Sequence, residues 1–195
     1  MYNIGVREVF FGKATKTNGS VAYSGSKKLT DAINIKVSYS KQSAKAYAGD
    51  RLDDEINRFI SGSLTMQQND IKDEDRSILF GHKQKVAELT GATETKETNY
   101  VDMDEGEFVG IAFYAPVRRD QTTLYKAVLL KYVKFSDGDE EYKTQEENID
   151  FLKEEITGNF YALNDGSYKD QIVVETPELA VQWIEKKLNI NAGGA

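Results

Sequence analysis

The stretch FVGIAFYAPVRRDQTTLYKAVLLKYVKF, residues 108–135, is apolar at both odd and even positions on either side of RRDQ, Arg118–Gln121. Successive side chains on a strand point to opposite faces. A strand that is apolar at both parities therefore needs a cover on both sides. The stretch reads as two central strands, Phe108–Val117 and Thr122–Phe135, joined by a turn at Arg118–Gln121. Everything else in the chain has to be arranged around that buried pair.

Upstream, VREVFFGKA (Val6–Ala14) reads as a first strand and TNGS (Thr17–Ser20) as a tight turn, because Asn-Gly tolerates positive φ. VAY (Val21–Tyr23) returns from it. In AINIKVSYS, Ile33, Ile35, Val37 and Tyr39 take one face, and Asn34, Lys36, Ser38 and Ser40 the other. AGDRLDDEI (Ala48–Ile56) reads as a charged loop, followed by a strand over Asn57–Gln68. That strand should turn Ile60, Leu64 and Met66 to the core and Ser61, Ser63, Thr65 and Gln67 away from it.

A helix over about residues 70–80 follows, with Asp70 as N-cap, Asp73 in the capping-box position and Gly81 as the left-handed stop. Ile71, Ile78 and Leu79 share its apolar face. The Thr/Glu-rich residues 83–107 read as a projecting loop or hairpin. SDGDEEYKTQEEN (Ser136–Asn148) is an acidic connection to a long strand, Ile149–Leu163. NDGS (Asn164–Ser167) turns the chain into YKDQIVVE, residues 168–175. A helix over about residues 177–188 then has Thr176 as N-cap and Pro177 at its first position. Its apolar stripe is Leu179, Ala180, Trp183, Ile184 and Leu188, and Lys186 and Lys187 suit its negative end. Residues 1–195 form one domain, mainly β, a β-sandwich or barrel with two helices and a C-terminal helix and tail over 176–195.

Composition narrows the function classes. Among 195 residues there is no cysteine, which removes thiol chemistry, zinc ribbons and disulfide frameworks. The formal charge of −7 and the isoelectric point near 4.9 are the reverse of a nucleic-acid grip. The N-terminal residues carry no signal-peptide pattern and no stretch approaches a membrane span, so no membrane insertion is expected. His82 is the only histidine, follows the helix stop, and reads as a polar residue outside any catalytic pair. DMDEGE (Asp102–Glu107) fails as a calcium loop: its glycine comes one position early and its twelfth position is Phe113. SDGDEE (Ser136–Glu141) reads as a turn. With 32 acids, no carboxylate pair stands out for hydrolysis. The residues alone point to a soluble, acidic, β-rich binding or assembly protein: no enzyme, no catalytic residues, no cofactor and no metal.

Several segments in order resemble the major tail protein, or tail-tube protein, of long-tailed bacteriophages. They are GVREVFFG (Gly5–Gly12), AYAGD (Ala46–Asp50), ISGSLTM (Ile60–Met66), EDRSILFG (Glu74–Gly81), the paired strands of Phe108–Phe135, and TQEENIDFLKEEITGNFYAL (Thr144–Leu163). The resemblance covers Gly5 to about Leu163; the Thr/Glu insert and the C-terminal helix depart from the simplest members. It implies a β-sandwich with a flanking helix. Such subunits form hexameric rings that stack into a tube around a tape-measure protein, end on tail terminator and distal tail proteins, and let DNA pass without specific binding. It places the protein in the virion tail, made in the host bacterial cytoplasm. It implies inter-ring contacts at Asp50, Arg51, Asp53, Asp54 and Glu55. A water-filled lumen would be lined by Ser61, Ser63, Thr65 and Gln67 with Lys153, Glu155, Thr157 and Asn159. An acidic conduit agrees with that role, because a basic wall would hold phosphate and stall transit. The alternatives are a carbohydrate-binding or adhesin module, and a tube protein of a contractile tail or a type VI-like secretion system.

Overall fold

The computed structural model describes residues 2–3, 5–17, 20–48, 51–68, 71–87, 89, 95–136, 138 and 154–190. It is mainly β with two helices. The strands are β1 (Tyr2–Asn3), β2 (Glu8–Thr17), β3 (Ser20–Ala48), β4 (Arg51–Gln68), β5 (Lys83–Val86), β6 (Lys96–Asn99), β7 (Val109–Arg119), β8 (Thr122–Ser136), β9 (Glu154–Tyr161) and β10 (Lys169–Val174). The helices are α1 (Asp73–Phe80) and α2 (Pro177–Leu188). Eight strands form one antiparallel sheet in the order β1-β7-β2-β3-β4-β9-β8-β10, with β7 also paired to β8; β5 and β6 form a separate ribbon.

The two-faced strands behave as their composition requires. Val9, Phe11, Val109, Ile111, Val128 and Leu130 turn inward against Leu64, Met66, Ile156 and Phe160. On the reverse side Phe10, Ala112, Tyr114, Ala127 and Leu129 meet Ala180, Ile184 and Leu188 of α2. The turn between β7 and β8 is Asp120–Gln121, both at positive φ (47° and 67°), the backbone a two-residue hairpin needs.

Pairing runs from β7 through β2, β3, β4, β9 and β8 back to β7, with β1 and β10 outside that circuit. Val109 pairs with Val133 but Ile111 pairs with Leu130, so β8 carries an extra residue there. Before this bulge β8 pairs with β10 over Tyr125–Leu130, and after it with β9 over Val133–Ser136. The bulge also resets the alternation, so that Val133 and Phe135 still face the core. One strand thereby serves two neighbours on the same edge, and among the described residues β10 pairs only with β8.

Four boundaries differ from expectation. Residues 51–56 are strand, not loop: β4 begins at Arg51 and stays paired with β3 as far as Ala48↔Arg51. Cross-strand partners hold this charged segment extended despite its composition. Ile60 is not a core residue; it is 53 % exposed. Ser40 pairs with Ser61 and Lys41 with Phe59, so Ile60 is the bulged residue and Phe59 takes the inward position. Helix α1 begins at Asp73, with Lys72 as N-cap and no side-chain cap, so Asp73 is not in a capping-box position. Asp70 lies outside the described residues. In α2 the expected stripe loses Leu179, which is 47 % exposed because it lies one residue off the row Ala180, Ile184 and Leu188 that faces the sheet.

The helix ends follow the sequence. Gly81 is left-handed (φ 87°) and its N–H donates to Ser77 O. Thr176 Oγ1 accepts the Leu179 N–H at 3.3 Å, and Ser26 Oγ donates to Leu188 O at 2.6 Å, fixing both ends of α2. Gly62 is required by packing: a Cβ there would stand 2.0 Å from the Phe160 ring. The turn Asn18–Gly19, residues 149–153 and the tail 191–195 lie outside the described residues.

Leu64 is fully buried. Leu64→Ala should lower stability by about 2–5 kcal/mol. Ile60→Ala, at the exposed bulge, should change it by no more than about 0.5 kcal/mol. Chemical denaturation of the two variants checks the pair; equal losses would refute the bulge assignment.

Candidate functional site

Three surfaces could carry function. The first is a polar wall. Strands β3, β4 and β9 lie side by side, so residues two apart along each form rows across the sheet. Asn34, Gln67 and Glu155 make one row; Lys36, Thr65 and Thr157 the next; then Ser38, Ser63 and Asn159; then Ser40, Ser61 and Tyr161. Gln67 Nε2 donates to Glu155 Oε2 at 2.9 Å. The structure thus brings seven of the eight lumen candidates into register on one face; Lys153 lies outside the described residues. The β3 row completes the wall. The alternation in AINIKVSYS signals it, but only the pairing register shows that it continues the same face. Hydroxyls and amides dominate the wall, so it presents hydrogen-bonding groups with little fixed charge.

The second surface is the outer part of the β3–β4 hairpin. Among the described residues, Lys41–Ala48 and Arg51–Phe59 pair only with each other. Both faces of this ribbon are open: Lys41–Lys45 and Glu55–Arg58 are exposed, including Ile56 at 53 %. Gln42 and Ala44 pair with Arg58 and Ile56 and enclose a groove of about 250 Å³. Of the expected contact residues, Glu55 is exposed and accepts from Asn57 Nδ2 at 3.4 Å. Arg51, Asp53 and Asp54 belong to β4, though their side chains lie outside the described residues, as does Asp50 entirely. The residues expected on a loop are therefore carried by a strand up to its start at Arg51.

The third is the base of the insert, which sequence reasoning passed over. His82 does follow the helix stop, but it is buried, 3 % exposed. Its ring lies 4.2 Å from that of Tyr100 and 5.7 Å from that of Phe80, and Nδ1 is 3.2 Å from Asp104 Oδ2. The same oxygen accepts the Val101 N–H at 3.0 Å. These two donors, the backbone N–H first, hold the Asp104 carboxyl below its usual range. Glu105 pairs with Lys134, which holds its carboxyl down in the same way. Glu107 N–H donates to Ile78 O at 2.9 Å. Gly106 lies so close that a Cβ would stand 1.9 Å from Leu79 O. A cleft of about 320 Å³ opens beside them, lined by Phe80, Asp104, Glu105, Lys134, Asn159 and Tyr161. No signal in the sequence joins His82 to Asp104, because the pairing depends on the insert folding back onto α1. Among the described residues no group of three or more His, Asp or Glu side chains is placed to hold a metal ion.

An Asp pKa lowered by folding contributes stability above the unfolded value, lost as pH falls through the folded one. The Asp104 contribution should therefore disappear below about pH 4. Thermal melts between roughly pH 2 and 6 should fall less steeply for Asp104→Asn than for the parent chain. The variant should also start from a lower plateau. Parallel curves would rule this out.

Comparison with protein-family models and with the curated proteins returns no match to this chain.

Proposed function

We propose that the chain is a structural subunit of a phage tail tube rather than an enzyme. In this reading hexameric rings of it stack around a tape-measure protein and conduct the genome to the host. The observation that carries the reading is the β3–β4 ribbon. It runs past every neighbouring strand among the described residues and exposes both faces over Lys41–Lys45 and Glu55–Arg58. A two-stranded ribbon is marginal in water by itself. Its length and its exposed Ile56 gain nothing for the isolated fold, and both suit a partner that pairs with or covers the ribbon. Inter-ring contacts at Asp50, Arg51, Asp53, Asp54 and Glu55 would then sit at the tip and along the strand that leads away from it.

The wall formed by β3, β4 and β9 supports the second part of the reading. Ser61, Ser63, Thr65, Gln67, Glu155, Thr157 and Asn159 share one face. With the chain's net charge of −7, six such faces would enclose a hydrated channel with little attraction for phosphate. The tube would carry DNA in the virion tail without binding it specifically.

Negative-stain microscopy over a concentration series should show rings at low and tubes at high concentration, and tubes of set length on co-expression with the tape-measure protein. A strictly monomeric chain under all these conditions would refute the proposal. Replacing Asp53 and Asp54 with Lys should leave the melting temperature within about 2 °C of the parent, as for a surface change. Tubes should then be replaced by unstacked rings; normal tubes would remove these residues from the inter-ring contact.

A further inference from the structure

Met103 is 85 % exposed, more than any other large apolar side chain among the described residues. Water gains nothing from a thioether, and a methionine adapts well to irregular apolar gaps. Its backbone is not loose. It sits between Val101, whose N–H donates to Asp104, and Asp104 itself, which holds buried His82. Gly106 packs onto the last turn of α1, and the Glu107 N–H ties down to Ile78 O. The insert thus presents Met103 on a fixed support, which lowers the ordering cost of any contact it makes. Asp102 precedes it, exposed, and Glu105 follows, exposed.

The ribbon offers the counterpart. The groove on its one face has Ala44 and Ile56 as apolar floor and Gln42 and Arg58 as polar walls. Arg58 is exposed on that face, whereas Lys41 and Lys45 alternate to the other face of the ribbon. Knob and groove are thus complementary: an apolar tip beside the exposed Asp102 carboxylate, and an apolar floor beside the exposed Arg58 guanidinium. In the isolated chain both stay open, so they do not satisfy each other within one molecule.

We propose that the groove at Ala44 and Ile56 receives Met103 of a second copy of this chain, with Arg58 facing Asp102. The contact rests on the reading of the chain as an assembling subunit and names the surfaces that join. It is heterologous: a copy that donates Met103 keeps its own groove free, and the series can continue into a ring or a stack. It gives the Thr/Glu insert, which departs from the simplest tail-tube proteins, a role in assembly.

The chain lacks cysteine, so a pair of introduced thiols reports one contact without background. Both positions are exposed, and Ala44→Cys and Met103→Cys should leave the fold unchanged by circular dichroism. Mild oxidation of the double variant should give a ladder of covalently joined subunits on a denaturing gel, while each single variant runs as a monomer. Met103→Asp should raise the concentration for half assembly on the order of tenfold, as for the loss of one apolar anchor. Rings or tubes from the double variant with no ladder would overturn this contact and leave the tube reading standing. A disulfide formed only within one chain would also overturn it. A ladder without rings or tubes would keep the contact and overturn the tube reading. A chain that remains monomeric and uncross-linked at every concentration would overturn both.

Discussion

The constraint on which the architecture depends is the burial of β7 and β8 on both faces. Leu129 and Leu130 are adjacent in sequence, point in opposite directions, and are 2 % and 0 % exposed. Neither face can be given to water without losing roughly 1.5–3 kcal/mol for each large side chain. One face is therefore covered by β4 and β9 and the other by α2. The capped, bonded ends of α2 follow from this requirement, because a 12-residue helix would be marginal without the sheet beneath it. The bulge in β8 is the second consequence. A strand that must contribute to the core along its full length, while its neighbour changes from β10 to β9, needs one extra residue to keep its parity.

A second bulge, at Ile60, divides the long hairpin into two physical regimes. Toward Gln68 the strands belong to the sheet, with Leu64 and Met66 beneath and hydroxyls above. Toward Ala48, among the described residues, they pair only with each other. Phe59 marks the border: it stacks on Tyr168 at 3.8 Å between ring centres and on Phe160 at 5.7 Å, closing the end of the core. Tyr39 meets Phe160 edge-on at 5.8 Å from the paired strand. Gly62 is the complement of that cluster, since the Phe160 ring fills the space a side chain would need. The core and the ribbon are thus joined at an aromatic plug.

The insert is tied down by different means. Its anchors are polar and sit at one end: the His82–Asp104 hydrogen bond, the Glu105–Lys134 ion pair, and the close approach of Gly106 to α1. Lys134 also lies 5.2 Å above the Phe108 ring, which itself stacks on Tyr132 at 4.0 Å. Such a base is sensitive to acid, whereas the sheet beneath it is held by apolar packing. Acid should therefore loosen the insert before it unfolds the core.

The sequence by itself determined what depends on local chemistry and period. The two-sided strands, the turn at Arg118–Gln121, the left-handed stop at Gly81, the Thr176–Pro177 start of α2 and the alternation of Ser61, Ser63, Thr65 and Gln67 are all legible, because each rests on near neighbours along the chain. The tertiary structure decided the rest. It made Arg51–Ile56 strand, since charged residues extend when a partner strand supplies their hydrogen bonds. It moved Ile60 outward, since a bulge is a mismatch between two strands and neither carries it alone. It buried His82 against Asp104, residues 22 positions apart, through the return of the insert. And it set the rows of the polar wall, because period fixes which residues share a face of one strand, while only pairing register fixes which strands share that face.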